Sequence, residues 1–327
     1  MNPAELGGIL SSTEPLSTVD FSKAKFTLEP GWAVGIEDAL GTDIVAASVK
    51  AGAGEFSLTK DALLQATSLI GLTQNYVLKT PSNLVQPHLN YWYGDGMTKE
   101  CKLLTQDLTA IAVTKANIYP FSNFKFLEIL MAQLDDSQVF DAVEHSPKLT
   151  TFRLFSPDVA TWNFGVQLVN SQVGYKPTQL RGFMATDDGL GLISSHSTSG
   201  NWNRRTGGQG DEVYEWAEEA AQEIITNSGH ELDVIEELSK TELNGDVAET
   251  FIDLFSTYAV PLESRSQILA EFANQQDMTM YGVMLAVSIV AKHTPKFALA
   301  TKLMEVAGDL PRANSARCEK CHRIPVL

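Results

Sequence analysis

NFGVQLVNSQVGYKPTQLRGFMATDDGLGLIS, residues 163–194, decides the fold class. Phe164, Val166 and Leu168 alternate with Gly165, Gln167 and Val169; Leu180, Gly182 and Met184 alternate with Arg181, Phe183 and Ala185. A period of two marks a strand, whose successive side chains point to opposite faces. Asp187-Asp188-Gly189 supplies turn residues, so Leu190–Ser194 is predicted as the returning antiparallel strand.

Downstream of this sheet the period changes. The loop STSGNWNRRTGGQG, residues 197–210, separates it from a helical half. Asp211 is predicted to cap a helix with Val213, Trp216, Ala217, Ala220 and Ile224 on one face. Asp246 and Glu249 have capping-box spacing ahead of Phe251, Leu254, Phe255 and Tyr258. Further helices are predicted from near Pro261, over Met278–His293 and over Lys296–Ala307.

Upstream, Phe121–Leu134 is predicted helical, with Phe124, Ile129, Leu130 and Leu134 as its buried residues, and 103–118 as strand. Thr59 is a predicted cap for a helix burying Leu63, Ala66, Thr67 and Ile70 and ending at Gly71, with another helix over Ser82–Tyr93. Residues 26–57 alternate short strands with turns at Pro30-Gly31 and Gly52-Ala53-Gly54. The expected class is therefore α+β: an N-terminal and central mixed or antiparallel sheet with packed helices, then an α-helical C-terminal half. The expected division is a flexible arm over 1–25, an α+β domain over 26–205, a helical region packed on it over 206–310, and a basic, cysteine-containing tail over 311–327.

With 327 residues, 44% of them hydrophobic, the chain can bury a large core. The first twenty residues show no basic start followed by an apolar core, and the most apolar window, Met278–Ala291, is too short to span a bilayer. No signal peptide and no membrane association are expected, and the expected location is the cytosol. Three cysteines, Cys101, Cys318 and Cys321, fit a reducing compartment without a disulfide framework. The net charge of −16 is uneven: residues 206–253 hold 14 carboxylates and a single base, Lys240. Such a balance argues against a nonspecific basic coat for DNA, though not against a local nucleic-acid site.

Four blocks in order resemble the phage- and plasmid-like domain-of-unknown-function family numbered 932. They are LTKDALLQATSLIGLTQNYVLKTPSNLVQPHLNYWY (58–93), LVNSQVGYKPTQLRGFMATDDGLG (168–191) with its Asn-Ser-x-x-Gly turn, the loop ending Asn203-Arg204-Arg205, and DMTMYGVMLAVSIVAKHTPKFALATKLMEVAGDL (277–310). Where that family often carries Cys-x-Asn-Gly after the second strand, this chain reads Asp-Asp-Gly-Leu-Gly, so no role of that cysteine carries over. The resemblance implies a mobile genetic element and no particular activity.

Several constellations bear on chemistry. Around Trp202 the glycine-rich loop offers a ring for base stacking, and Arg204 and Arg205 offer guanidiniums for phosphate; Arg181 and Lys176 are expected to extend that patch. Cys318, Cys321 and His322 have metal-ligand spacing but lack a fourth ligand, so a basic tail with free thiols is the expected reading. Asp187-Asp188 lacks a third acidic partner and reads as hairpin chemistry. Tyr91-Trp92-Tyr93 is expected to be half core and half surface. His88, His145, His196, His230, His293 and His322 show no metal-ligand pairing, and no nucleotide-binding or hydrolase motif occurs. The expected function is handling of single-stranded nucleic acid in recombination or replication by a homo-oligomer, with no catalysis and no cofactor. The alternative is an acidic interaction protein that engages a host factor, as a DNA mimic or inhibitor, through helices at 211–253. A metal-dependent hydrolase using Asp187 and Asp188 is a third.

Overall fold

The alternation around residue 170 builds the centre of an antiparallel sheet in the computed structural model, which describes residues 2–12, 16–21, 23–31, 36–37, 43–94, 100–140, 144–146, 148–157, 161–194, 201–202, 210–243 and 247–313. Helix α1 (Pro3–Ser12) precedes β1 (Ser17–Asp20), β2 (Lys25–Leu28), β3 (Ile36–Glu37), β4 (Asp43–Ala51) and β5 (Gly54–Thr59). Helices α2 (Lys60–Leu69), α3 (Gln74–Lys79) and α4 (Ser82–Gly94) lead to the hairpin β6 (Cys101–Gln106) and β7 (Thr109–Lys115). Helix α5 (Asn123–Gln133) then precedes β8 (Gln138–Val139), β9 (Glu144–His145), β10 (Thr150–Phe155), β11 (Asn163–Asn170), β12 (Thr178–Ala185), β13 (Gly191–Ile193) and β14 (Asn201–Trp202). Among the described residues the helices α6 (Glu212–Thr226), α7 (Ser228–Leu238), α8 (Val247–Thr257), α9 (Leu262–Gln275), α10 (Met280–Lys292) and α11 (Phe297–Ala313) follow. The class is α+β, with the helices of the second half following the sheets as expected.

Two sheets divide the strands. The first runs β1-β6-β7-β5-β4-β2, with β3 also on β4; β5 and β7 are its parallel pair. Thr59 ends β5 and starts α2: its hydroxyl accepts from the Ala62 N–H at 3.1 Å and donates to the Ile111 carbonyl at 3.2 Å. Leu63, Ala66 and Thr67 then bury one face of α2 on the sheet, as the spacing predicts; Ala62 joins them, whereas Ile70, at the C-terminal cap of the helix, is only half-buried. Edge strand β2 is closed by α4. Asn90 accepts from the Phe26 N–H at 2.6 Å and donates to its carbonyl at 3.1 Å, and Gln86 accepts from the Leu28 N–H at 2.8 Å. Two amides four residues apart thus occupy an edge that would otherwise offer itself to another strand. Tyr93 is fully buried and donates to the Ala66 carbonyl at 2.7 Å, whereas Tyr91 stands exposed. The half-core, half-surface expectation for 91–93 holds.

The second sheet runs β13-β12-β11-β10-β8, with β14 on β12 and β9 on β10, all antiparallel. Both of its faces are covered. Phe152, Leu154, Val166, Leu168 and Leu180 meet α5 and α6, while Phe183, Leu192 and Ile193 meet α10 and α11. Residues of α6, α10 and α11 pack against this sheet. The first sheet has its own core under α2 and α4, so the described strands from β1 to β14 form two sheets rather than one.

Some local expectations are corrected. The N-terminal stretch is not a loose arm among its described residues: Leu6 and Leu10, four apart on α1, are fully buried against α5, and β1 pairs with β6. Its Ser/Thr/Pro composition hid a single apolar stripe. Residues 103–118 contain a hairpin turn, with Asp107 at φ +52°, rather than one strand. In α5 Leu130 and Leu134 are buried as expected, but Phe124 and Ile129 are only half-buried, and Phe126 and Leu127 take the deep positions in their place.

Candidate nucleic-acid interface

The Asn-Ser-x-x-Gly segment forms the β11–β12 turn, and each of its polar residues has a structural task. Buried Asn170 donates to the Phe121 carbonyl at 3.0 Å and to Asn123 Oδ1 at 2.7 Å, and accepts from the Thr178 hydroxyl at 2.9 Å. Asn123 donates onward to Thr150 Oγ1 at 3.2 Å, which also meets His145 Nδ1 at 2.9 Å. This buried network fixes the turn to the start of α5. Ser171 Oγ accepts from the Tyr175 N–H at 2.8 Å, and Gly174 sits at φ +71° with Ile118 Cγ2 2.8 Å from where a Cβ would stand. Glycine is required there by backbone conformation and by space together.

What the rigid turn presents is cationic and aromatic. Tyr175 is 56% exposed and Lys176 beside it is exposed. Lys148 Nζ lies 4.8 Å from the centre of the Tyr175 ring and 2.9 Å from Asp61. Ile118 packs beneath Gly174, and next to it Tyr119 carries Lys102 Nζ 4.3 Å from its ring centre. Burial pushes the Lys102 amine below the usual lysine range. The backbone of Trp202 is hydrogen-bonded into this end of the sheet, opposite Thr178. Trp202 and Lys176 are therefore brought to the same end of β12. Arg204 and Arg205 lie outside the described residues.

Arg181 does not belong to this patch. It is one of a row of polar residues, Arg153, Gln167 and Arg181, that face one another across β10, β11 and β12. Helix α11 covers the row. Arg181 pairs with Glu305 at 2.7 Å, both side chains about one quarter exposed (26% and 29%), so its charge is committed to the fold. Arg153 is fully buried: Nε donates to Gln167 Oε1 at 2.7 Å, a terminal nitrogen donates to Thr301 Oγ1 at 2.6 Å, and the Phe297 ring lies 5.0 Å away. Burial pushes its guanidinium down to about 10, with the nearby Glu305 carboxylate opposing, so it stays charged at neutral pH.

The remaining candidates resolve in structural terms. Asp187 accepts from Asn163 Nδ2 at 2.7 Å, while Asp188 accepts from the Thr186 hydroxyl and its carbonyl from Lys292, so the pair holds a hairpin together. Among the described residues no group of three or more His, Cys, Asp or Glu is placed to hold a metal. Cys318, Cys321 and His322 lie outside them. Helix α6 exposes Glu212, Glu215, Glu218, Glu219 and Glu223 opposite its buried face, and α7 adds Asp233, Glu236 and Glu237; Asp211, just ahead of α6, makes no side-chain cap bond there and pairs with Lys125 instead. One acid of that region is inside: Glu231 accepts from the Ser194 hydroxyl at 2.8 Å. No helix among the described residues is long and apolar enough to cross a membrane.

His145 ties this network to pH. Burial lowers its affinity for a proton below that of an ordinary histidine. The unfolded chain then takes up the proton first on acidification, so stability is complete above the usual histidine range and falls as pH drops through it. Urea midpoints measured across that range are expected to fall with pH, and less steeply in His145→Asn. An equal slope in both proteins would remove His145 as the cause.

Sequence reading missed Lys148, Tyr175, Lys102 and Tyr119. Tyr175 was visible as an aromatic beside Lys176 in a turn, but the lysines come from other strands and loops. The chain matches no family model, no curated protein and no solved structure, so the resemblance to family 932 has no independent match behind it.

Proposed function

We propose that the chain handles single-stranded nucleic acid, as a strand-binding or annealing factor of a mobile genetic element. The observation that carries this reading is the ledge at the β11–β12 turn, where exposed Tyr175 and Lys176 and the Trp202 strand converge on a scaffold locked by Asn170, with Lys148 beside the Tyr175 ring in an exposed ion pair to Asp61. Single-strand sites combine cations that track the phosphates with rings on which bases stack. With few lysines and a net charge of −16, affinity must come from this local patch and must weaken with salt. The test is titration of labelled single-stranded oligonucleotide with the protein and two surface variants. Tyr175→Ala is expected to cost about 1–3 kcal/mol of binding, the value of one stacked base. Lys176→Ala is expected to reduce the salt slope by about 0.7, one phosphate contact. Unchanged affinity in both variants would remove the turn from the site.

A second reading rests on the carboxylates that α6 and α7 expose. Such a face suits a basic protein partner. It becomes the leading one if the chain has no affinity for oligonucleotides, and it then predicts salt-sensitive capture of a basic DNA-binding protein.

A further inference from the structure

Beside the ledge, between α2 and the Ser171–Gly174 turn, lies a cleft of about 290 Å3 whose walls include Ser68, Leu69, Thr114, Lys115, Ile118 and Val173. Its floor is a strand edge. β7 pairs with β5 only at Thr109 and Ala110, after which β5 has turned into α2. On its other side the Ala116 N–H donates to the Glu100 carbonyl at 3.0 Å, and the register sets Lys115 opposite Cys101 and Val113 opposite Leu103. Bonded and non-bonded pairs alternate along an antiparallel ladder. Val113 and Lys115 therefore turn their backbone groups away from β6, toward the cleft.

Two of those four groups are used. The Val113 N–H donates to Gln65 Oε1 at 3.0 Å, and the Lys115 carbonyl accepts from the Ile118 N–H at 3.0 Å. The Val113 carbonyl and the Lys115 N–H carry no hydrogen bond from the described residues. In the cleft wall Thr114 is only 5% exposed, and its hydroxyl has no hydrogen-bond partner among the described residues. An acceptor and a donor two residues apart on one edge suit a planar ligand whose own donor and acceptor lie side by side. That is the pairing edge of a nucleobase, and the aliphatic side chains of Leu69, Ile118 and Val173 suit its flat faces. The volume holds one nucleoside, not a run of them.

We infer that this cleft takes one nucleobase of a bound strand, with the base's pairing edge on the Val113 carbonyl and the Lys115 amide. This deepens the strand-binding proposal and rests on it, since Gly174 of the cleft adjoins Tyr175 of the ledge. Adenosine 5′-monophosphate is the probe, followed by saturation-transfer NMR on the full chain, alongside single-strand titration. Ser68 is exposed on α2, so Ser68→Trp fills the mouth of the cleft without touching the core. Lys115→Pro deletes the amide donor without removing a ladder bond, and Lys115→Ala controls for the side chain.

The expected result is base-proton saturation in the parent and in Lys115→Ala, lost in Ser68→Trp and Lys115→Pro, with strand affinity down about tenfold in the latter two. Melting temperatures check folding, and Ser68→Trp stands as the test if the proline variant unfolds. Strand binding that survives in Ser68→Trp, with no mononucleotide signal in the parent, would overturn the cleft and leave the ledge. Binding of neither strand nor mononucleotide would overturn both.

Discussion

Arg153→Ala is expected to destabilise the protein by about 3–5 kcal/mol, the cost of breaking a buried charged network by removing one member. The side chain is fully buried between three strands and α11, and its loss strands Gln167 and Thr301 without their donor while opening a cavity beside Phe183 and Phe297. Denaturant midpoints measure it. The penalty belongs to orphaned polar groups more than to lost attraction. Arg153→Met combined with Gln167→Leu and Thr301→Val is therefore expected to recover most of the stability, since an apolar replacement of a whole buried network is often neutral. A triple variant as unstable as Arg153→Ala would show instead that the guanidinium's own contacts hold α11 on the sheet.

Gly308→Ala is the second large effect, and its sign is the informative part. Alanine in a helix interior is favoured over glycine by about 1 kcal/mol. At this position on α11, however, a Cβ would stand 2.2 Å from the Ile193 carbonyl oxygen and 2.6 Å from its carbon. Those are backbone atoms of β13, which cannot rotate aside, so the helix must lift from the sheet. Overpacking of this kind costs about 1–3 kcal/mol and occasionally more. A net loss of about 2 kcal/mol is expected at the upper end of that range. Gly229→Ala, on α7 with nothing within 4 Å of the new methyl, is expected to stabilise. If both variants shift the thermal midpoint in the same direction, the close packing of α11 on β13 is not what Gly308 serves.

Much of this architecture could be read locally. The two-residue period from 163 to 185 became β11 and β12, and Thr59 caps α2 through its own hydroxyl. The fate of Arg181 could not be read that way. Its partner, Glu305, lies 124 residues further along the chain, and a charged residue on an alternating strand looks solvated unless the second face is known to be covered. The same blindness hid Leu6 and Leu10, two apolar residues in a polar stretch that find their neighbours on α5. At the candidate site, Trp202 and Lys176 were legible as chemistry, whereas their meeting at one end of β12 is a matter of register. Lys148 reaches Tyr175 from the loop between β9 and β10, which no local pattern announces.

The proposed single-strand site is local, cationic and aromatic, on an acidic protein. Fluorescence anisotropy of labelled single- and double-stranded oligonucleotides, titrated with the full chain at low and at physiological salt, tests it most directly. Binding that favours the single strand and weakens as salt rises is the predicted result. No binding at low salt, or equal affinity for duplex, would contradict it and turn attention to the acidic face of α6 and α7.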